Sequence, residues 1–266
     1  MCAKQKGIIK LHGKIGNLAF YSKDGVDYVK EISRLSKQRI KTSPAFKRNR
    51  ENMMEFGGCS MAGKAFRLGL GEIIKDMGGK YISARLTGQL KKVIEHGNGI
   101  RGERSLEFLA NGNNIEGFDF NSDTAFGGVF TAPYDISANA GRNEVTITIP
   151  VFKTNNFITS PKSASHFRII NAITVLSDYT YNPALKGYRP VNPEINSKNN
   201  ISYSDYTPLG GSTLANMSIV SSIPGSPVIP ATVGVIACLG IEFYQKINGG
   251  FYLLAAKNAM RLEKVF

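Results

Sequence analysis

The chain has 266 residues, enough for one large β domain or two modest ones, and 42% of them are apolar, so a sizeable core is within reach. It carries 33 Lys and Arg against 20 Asp and Glu, a formal charge of +13, and its three cysteines, odd in number and far apart, exclude a disulfide framework. The opening Met-Cys-Ala-Lys-Gln-Lys-Gly lacks the apolar core and cleavage site of a secretory signal peptide, so a cytoplasmic or particle-associated location is expected.

The charge is concentrated. From Met1 to Arg104 there are 22 Lys and Arg against 9 acids, whereas Ser105 to Phe266 balances at 11 against 11. Two regions are therefore expected: a basic N-terminal region over 1–104 containing a hairpin, an arm and two helices, and a neutral all-β domain over 105–266. A half so basic attracts polyanions or an acidic partner surface with salt-sensitive strength.

The first element is a hairpin between about Ile15 and Ile32. Leu18 and Phe20 alternate with Ala19 and Tyr21, Val26 and Tyr28 follow, and Lys23-Asp24-Gly25 supplies the residues that tolerate positive φ in a two-residue loop. Gly13 and Gly16 just upstream predict a bulge or a close backbone contact. A lone hairpin is marginal in water, so this one must lie on its own domain or on a neighbour.

An arm follows. Between Ser33 and Arg50 the bases Arg34, Lys37, Arg39, Lys41, Lys47, Arg48 and Arg50 meet no acid, so the segment repels itself and needs counter-charge or water; these residues are the candidate polyanion- or partner-binding set. Ser43 as N-cap and Pro44 at the first helical position start a helix that runs to about Asp76, with a kink or break at Gly57-Gly58 and an end at Gly78-Gly79. Along it Gly58, Ala62, Ala65 and Gly69 recur at spacings of four, three and four, a smooth stripe that another backbone can approach closely. The chain's own sheet or a second subunit could meet that stripe, and the assembly reading makes it a docking helix. A second helix is expected from Ser83 to His96, stopped by Gly97.

Beyond Arg104, segments near 116–120, 126–131, 144–149, 167–176, 214–221, 233–245, 251–255 and 260–265 are short, β-branched or aromatic, and separated by Gly, Pro, Asn and Ser. The fold class expected is mainly β: an N-terminal α/β-hairpin region and a C-terminal antiparallel β-sandwich. Asn248-Gly249 marks a late hairpin. The stretch 182–206, rich in Pro, Asn and Tyr, reads as a surface excursion available for interaction. The apolar run from Val228 to Ile241 is too short for a transmembrane segment and carries Pro230, so it reads as a buried strand.

Catalytic chemistry is not legible. Gly97-Asn98-Gly99-Ile100-Arg101-Gly102 spells G-x-G-x-x-G, but a charged helical segment precedes it instead of the strand a dinucleotide site requires, so it reads as a flexible link and no cofactor is expected. His12, His96 and His166 lack a second ligand at metal spacing, no nucleophile elbow occurs, and the acids Glu116, Asp119, Asp123, Asp135, Asp178 and Glu242 read as solvated turn residues. No small-molecule substrate is evident.

The string Gly13-Lys14-Ile15-Gly16-Asn17-Leu18-Ala19-Phe20-Tyr21, with Gly25, Tyr28 and the later Thr42-Ser43-Pro44-Ala45-Phe46-Lys47-Arg48-Asn49-Arg50-Glu51-Asn52, resembles the opening of uncharacterised bacterial proteins of the Bacteroidetes type. Gly240-Ile241-Glu242-Phe243-Tyr244-Gln245 is similar to a segment of the same group. The resemblance implies a bacterial or phage-related setting and no mechanism. The expected function is non-enzymatic: a structural, self-associating homo-oligomer of a bacterial or phage-like assembly whose basic arm contacts neighbours. The alternative is a non-specific nucleic-acid-binding protein that uses the same arm.

Overall fold

The computed structural model describes residues 2–32 and 35–266; Arg34, the first base of the arm, lies outside the described residues. The chain forms two compact units that divide between Arg50 and Glu51, not near residue 104.

The N-terminal unit holds four strands, β1 (Cys2–Lys4), β2 (Gly13–Ile15), β3 (Leu18–Lys23) and β4 (Val26–Glu31), in the antiparallel order β1-β4-β3-β2. The predicted hairpin is β3–β4, and Asp24 (φ 52°) and Gly25 (φ 74°) form its two-residue loop. Gly16 (φ 57°) is neither a bulge nor a close approach, since a Cβ there would meet nothing within 4 Å; it turns the chain from β2 into β3. The arm is folded. Lys37–Thr42 forms a helix, α1, whose start is capped by the Ser36 hydroxyl accepting the Arg39 N–H at 3.1 Å. Ser43 serves as its C-cap, and a 3₁₀ turn, Pro44–Phe46, leads into α2 (Lys47–Leu70). Arg50 donates from Nη1 to the Ile40 and Ser43 carbonyls at 2.8 Å each, tying the end of α1 to the start of α2; the Ser43 carbonyl also accepts the Phe46 N–H at 3.1 Å.

The C-terminal unit has three layers. At its centre lies a seven-stranded antiparallel sheet in the order β11-β8-β14-β16-β5, with β12 and β15 added along β8 and β14. Its strands are β5 (Phe118–Asp119), β8 (His166–Ser177), β11 (Asn199–Tyr203), β12 (Thr207–Pro208), β14 (Val233–Ile247), β15 (Gly250–Leu253) and β16 (Ala259–Val265). One face packs on a three-stranded sheet of β6 (Asp135–Ala138), β7 (Glu144–Ile149) and β13 (Met217–Ser222). Phe167, Ile169, Ile173 and Val175 of β8 share that core with Val145, Ile147 and Ile149 of β7 and Ile219 of β13. Two antiparallel sheets face to face are the expected sandwich. The opposite face carries the helices α2, α3 (Ile73–Met77), α4 (Ile82–Glu95) and α5 (Phe108–Asn111). There Ala62, Phe66, Leu86, Leu90 and Val93 pack with Ile170, Ala172, Leu176, Ile236, Cys238 and Leu262. Buried on both faces, β8 and β14 read as near-continuous apolar runs. For the same reason the helices belong to the β unit: without them half of the central sheet would be wet.

The stripe on α2 is used inside the chain. Gly58, Ala62, Ala65 and Gly69 are all buried, and the helix runs through Gly57-Gly58 without a break, ending only at Gly71 (φ 58°). A Cβ on Gly58 would sit 2.6 Å from Cγ of Tyr188, and one on Gly69 would collide with Thr174. Tyr188 lies in the hairpin of β9 (Tyr179–Asn182) and β10 (Gly187–Pro190), so part of the predicted surface excursion is in fact a lid beneath α2. The docking-helix role is thereby corrected: these small residues let α2 approach its own sheet and hairpin. Neighbouring glycines should then respond oppositely. Gly57→Ala, with nothing within 4 Å of the new methyl, is expected to stabilise by about 0.5–1 kcal/mol through helix propensity. Gly58→Ala is expected to lose about 1–3 kcal/mol despite the same gain, because the buried Tyr188 ring cannot swing away. Urea melts of the two variants measure the contrast.

The other helix and strand expectations differ in detail. The second helix appears as α4, one residue earlier than predicted at each end. Residues 126–131 are not a strand; Phe126–Gly128 is a 3₁₀ turn whose start is held by Asp119 Oδ1 accepting the Phe126 N–H at 2.9 Å, which turns Phe126 and Phe130 into the core. The turn Asn248 (φ 50°) and Gly249 (φ 85°) joins β14 to β15 as expected.

Candidate interaction surface in the N-terminal unit

Residues 1–50 contain 13 Lys and Arg against three acids, so the basic excess of the chain lies mainly in the smaller unit. No described residue of that unit is buried. A four-stranded sheet without a core exposes both faces, and the pairing register states what each face offers.

Residues paired directly across antiparallel strands point the same way. Lys14 pairs with Ala19, Ala19 with Lys30 and Lys30 with Cys2; one step along, Tyr21 pairs with Tyr28 and Tyr28 with Lys4; Lys23 pairs with Val26. These residues make one face, which holds four lysines, two tyrosines and no acid. Tyr21 and Tyr28 lie with ring centroids 5.7 Å apart and planes 22° from parallel, and Lys30 Nζ sits 5.2 Å over the Tyr21 ring. The other face carries Ile15, Leu18, Phe20 and Val29 together with Asp27 and Glu31. A depression of about 270 Å³ at its edge is lined by Ala3, Asn17, Leu18, Val29, Lys30 and Glu31. The acids are thus sorted: Asp27 and Glu31 lie on the apolar face, and Asp24 lies in the turn.

The predicted arm residues stand in two groups. Lys37, Arg39 and Lys41 are exposed on α1, while Lys47 and Arg48 open α2 and Arg50 is committed to backbone carbonyls. The sequence reading missed the lysines of the sheet, Lys4, Lys14, Lys23 and Lys30, because they are spaced by strands and not by a run. The signal was present in the alternation of Tyr21, Lys23, Tyr28 and Lys30, which a period-of-two count over the hairpin would have placed on one face.

Three acids of the C-terminal unit, Glu55, Asp178 and Glu242, are engaged in holding the fold. Glu55 on α2 is fully buried; Arg104 grips it from Nε at 2.7 Å and Nη2 at 2.9 Å, Lys91 contacts Oε2, and the Gly102 N–H donates to Oε1 at 2.8 Å. Burial alone would raise its pKa, but the Arg104, Lys91 and Gly102 hydrogen bonds outweigh it and hold the carboxyl at about 2. The G-x-G-x-x-G string is consequently no flexible link. Gly102 is tied to Glu55, and the Tyr188 hydroxyl donates to the Gly102 carbonyl at 3.3 Å. Asp178 and Glu242 are not solvated turn acids. Asp178 lines a cleft of about 400 Å³ with Glu107, yet its Oδ1 accepts the Phe108 N–H at 2.7 Å and so caps α5, while burial pushes its carboxyl up to about 6. Glu242 accepts the Tyr244 hydroxyl at 2.6 Å, and burial raises its pKa as well.

A second cleft, of about 510 Å³, includes Tyr203, Asp205 and Tyr206. Its aromatic faces are already taken: the Arg168 guanidinium lies 4.3 Å from the Tyr203 ring and 4.7 Å from that of Tyr206, and Tyr206 stacks on Phe251 at 3.9 Å. Among the described residues, no group of three or more His, Cys, Asp or Glu is placed to hold a metal ion, and no helix is long and apolar enough to cross a membrane. No protein-family model matches the chain, and neither a curated protein nor a solved structure matches it.

Proposed function

We propose that this chain is a binding protein and not a catalyst, and that its N-terminal unit takes a polyanion, nucleic acid being the ligand its charge fits. One observation carries the reading: 13 bases against three acids within 50 residues, displayed on a unit that buries none of its described side chains. Lysines on an acid-free sheet face and the exposed Lys37, Arg39 and Lys41 on α1 supply sequence-independent phosphate contacts. The full-length protein is expected to bind labelled DNA and RNA in about 50 mM salt, with affinity falling steeply as salt rises. Replacing Lys37, Arg39 and Lys41 together by Ala should weaken binding alike across sequences and make the salt slope shallower by up to about three phosphates' worth. Absence of binding to any duplex or single strand at that salt overturns the reading.

Self-association is a second reading, favoured by the opposite face of the same sheet. Ile15 and Leu18 are exposed there beside the half-buried Phe20 and Val29, and a neighbouring copy could cover them. Light scattering after size exclusion at micromolar concentration would show more than one protomer; a strict monomer in low and high salt removes it.

A further inference from the structure

Charge alone does not distinguish one nucleic acid from another. We infer that the Tyr21–Tyr28 face of the N-terminal sheet is a stacking platform for unpaired bases, so that the ligand of this unit is single-stranded nucleic acid. The inference rests on the polyanion-binding reading and narrows it.

The first argument is the position of the rings. Tyr21 and Tyr28 are cross-strand partners on the two central strands of the sheet, not on its edges, and their planes are within 22° of each other. Two nearly parallel rings in the middle of an open face offer π surface that a base can extend. Neither ring is buried: among the described residues Tyr21 meets the Tyr28 ring, Cys2 Sγ at 3.4 Å from its hydroxyl and the overlying ammonium of Lys30. The Tyr206 ring is held between Arg168 and Phe251, whereas the cation over Tyr21 among the described residues is Lys30, an exposed side chain that a base can displace.

The second argument is the position of the charges. Lys4 is paired with Tyr28 on one side, Lys14 and Lys30 occupy the row before the tyrosines, and Lys23 the row after. A strand laid over the rings would have ammonium groups on either side for its phosphates. Four strands at about 4.8 Å spacing make a platform under 20 Å wide, which suits a short single strand. The third argument is exclusion. A duplex hides its base faces within the stack, so tyrosines lying on a sheet gain nothing from it, and no long helix of this unit is available to enter a groove. A single strand offers both a π face and a backbone.

The test is fluorescence anisotropy of full-length protein with a labelled oligonucleotide of about 12 nucleotides, single-stranded or annealed to its complement. The single strand is expected to bind more tightly. Tyr21→Ala with Tyr28→Ala should weaken the single strand by about 10- to 100-fold and leave duplex binding nearly unchanged, whereas Tyr21→Phe with Tyr28→Phe should retain affinity because the ring stacks without its hydroxyl. Lys4→Ala, Lys14→Ala and Lys30→Ala together should weaken both ligands and flatten the salt dependence, and circular dichroism establishes that each variant is folded. Equal affinity for the two forms, or no effect of the alanine pair in a folded variant, overturns the stacking platform while leaving the polyanion reading in place. No binding to either form overturns both. Tyrosine-dependent binding to anionic phospholipid vesicles with none to oligonucleotides would replace the ligand by a membrane surface and likewise overturn the proposal.

Discussion

Replacing Glu55 by Ala is expected to destabilise the protein by about 3–5 kcal/mol. The carboxylate has no exposed surface, and its removal strands the Arg104 guanidinium, the Lys91 ammonium and the Gly102 N–H in a region built around it. Glu55→Gln should recover part of the loss by keeping an acceptor for Gly102, but not the charge that Arg104 meets with two nitrogens. The pH dependence gives an independent check. The folded carboxyl titrates at about 2 against an ordinary value of 4.5, so its contribution is fully present above about pH 5 and is lost as the pH falls toward 2. Urea melts of the parent chain should show that decline, and those of Glu55→Ala should show it reduced by the share this group supplies. An equal acid dependence in both proteins would deny Glu55 its role.

Arg142 is expected to be the second most sensitive position. Its Nη1 donates to the carbonyls of Val233 at 2.9 Å and Phe266 at 3.1 Å, and its Nη2 to those of Ile229 and Pro230 at 2.9 Å each. One planar group thus gathers the entry to β14, the last residue and the loop from Ile229. Arg142→Ala removes a shared donor from four carbonyls in a half-buried site, of which those of Pro230 and Phe266 keep a backbone N–H from Val233 and Val235, a loss of about 2–4 kcal/mol. Arg142→Lys should rescue little, since a single ammonium cannot reproduce the fork. A lysine variant as stable as the parent in thermal melts would show that charge and not geometry matters there.

Local chemistry made much of this fold legible. Asp24-Gly25 and Asn248-Gly249 declare their turns because few other residues tolerate those φ values, and Thr146-Ile147-Thr148-Ile149 declares a strand with one buried face. What could not be read was which surfaces meet. The stripe of Gly58, Ala62, Ala65 and Gly69 says that something comes close, but its partners Tyr188 and Thr174 lie more than a hundred residues away, at distances no periodicity encodes. The division near residue 104 failed for a related reason: charge follows the surface, whereas domain boundaries follow the core, and Phe66, Leu86 and Leu90 belong to the core of β8 and β14. The candidate surface was half legible. A run of bases announced the arm, but the lysines of the sheet become a group only when β1, β2, β3 and β4 pair.

The three cysteines differ in a way that makes the molecule easy to interrogate. Cys59 and Cys238 lie in the core, where burial pushes the Cys59 thiol up to about 12 and that of Cys238 higher than its ordinary value, so neither yields a thiolate near neutrality. Cys2 is exposed on the tyrosine face, its sulfur 3.4 Å from the Tyr21 hydroxyl. A maleimide dye added to the native, unmutated chain therefore has one address, and that address adjoins the two rings, so the fluorophore reports on whatever occupies them.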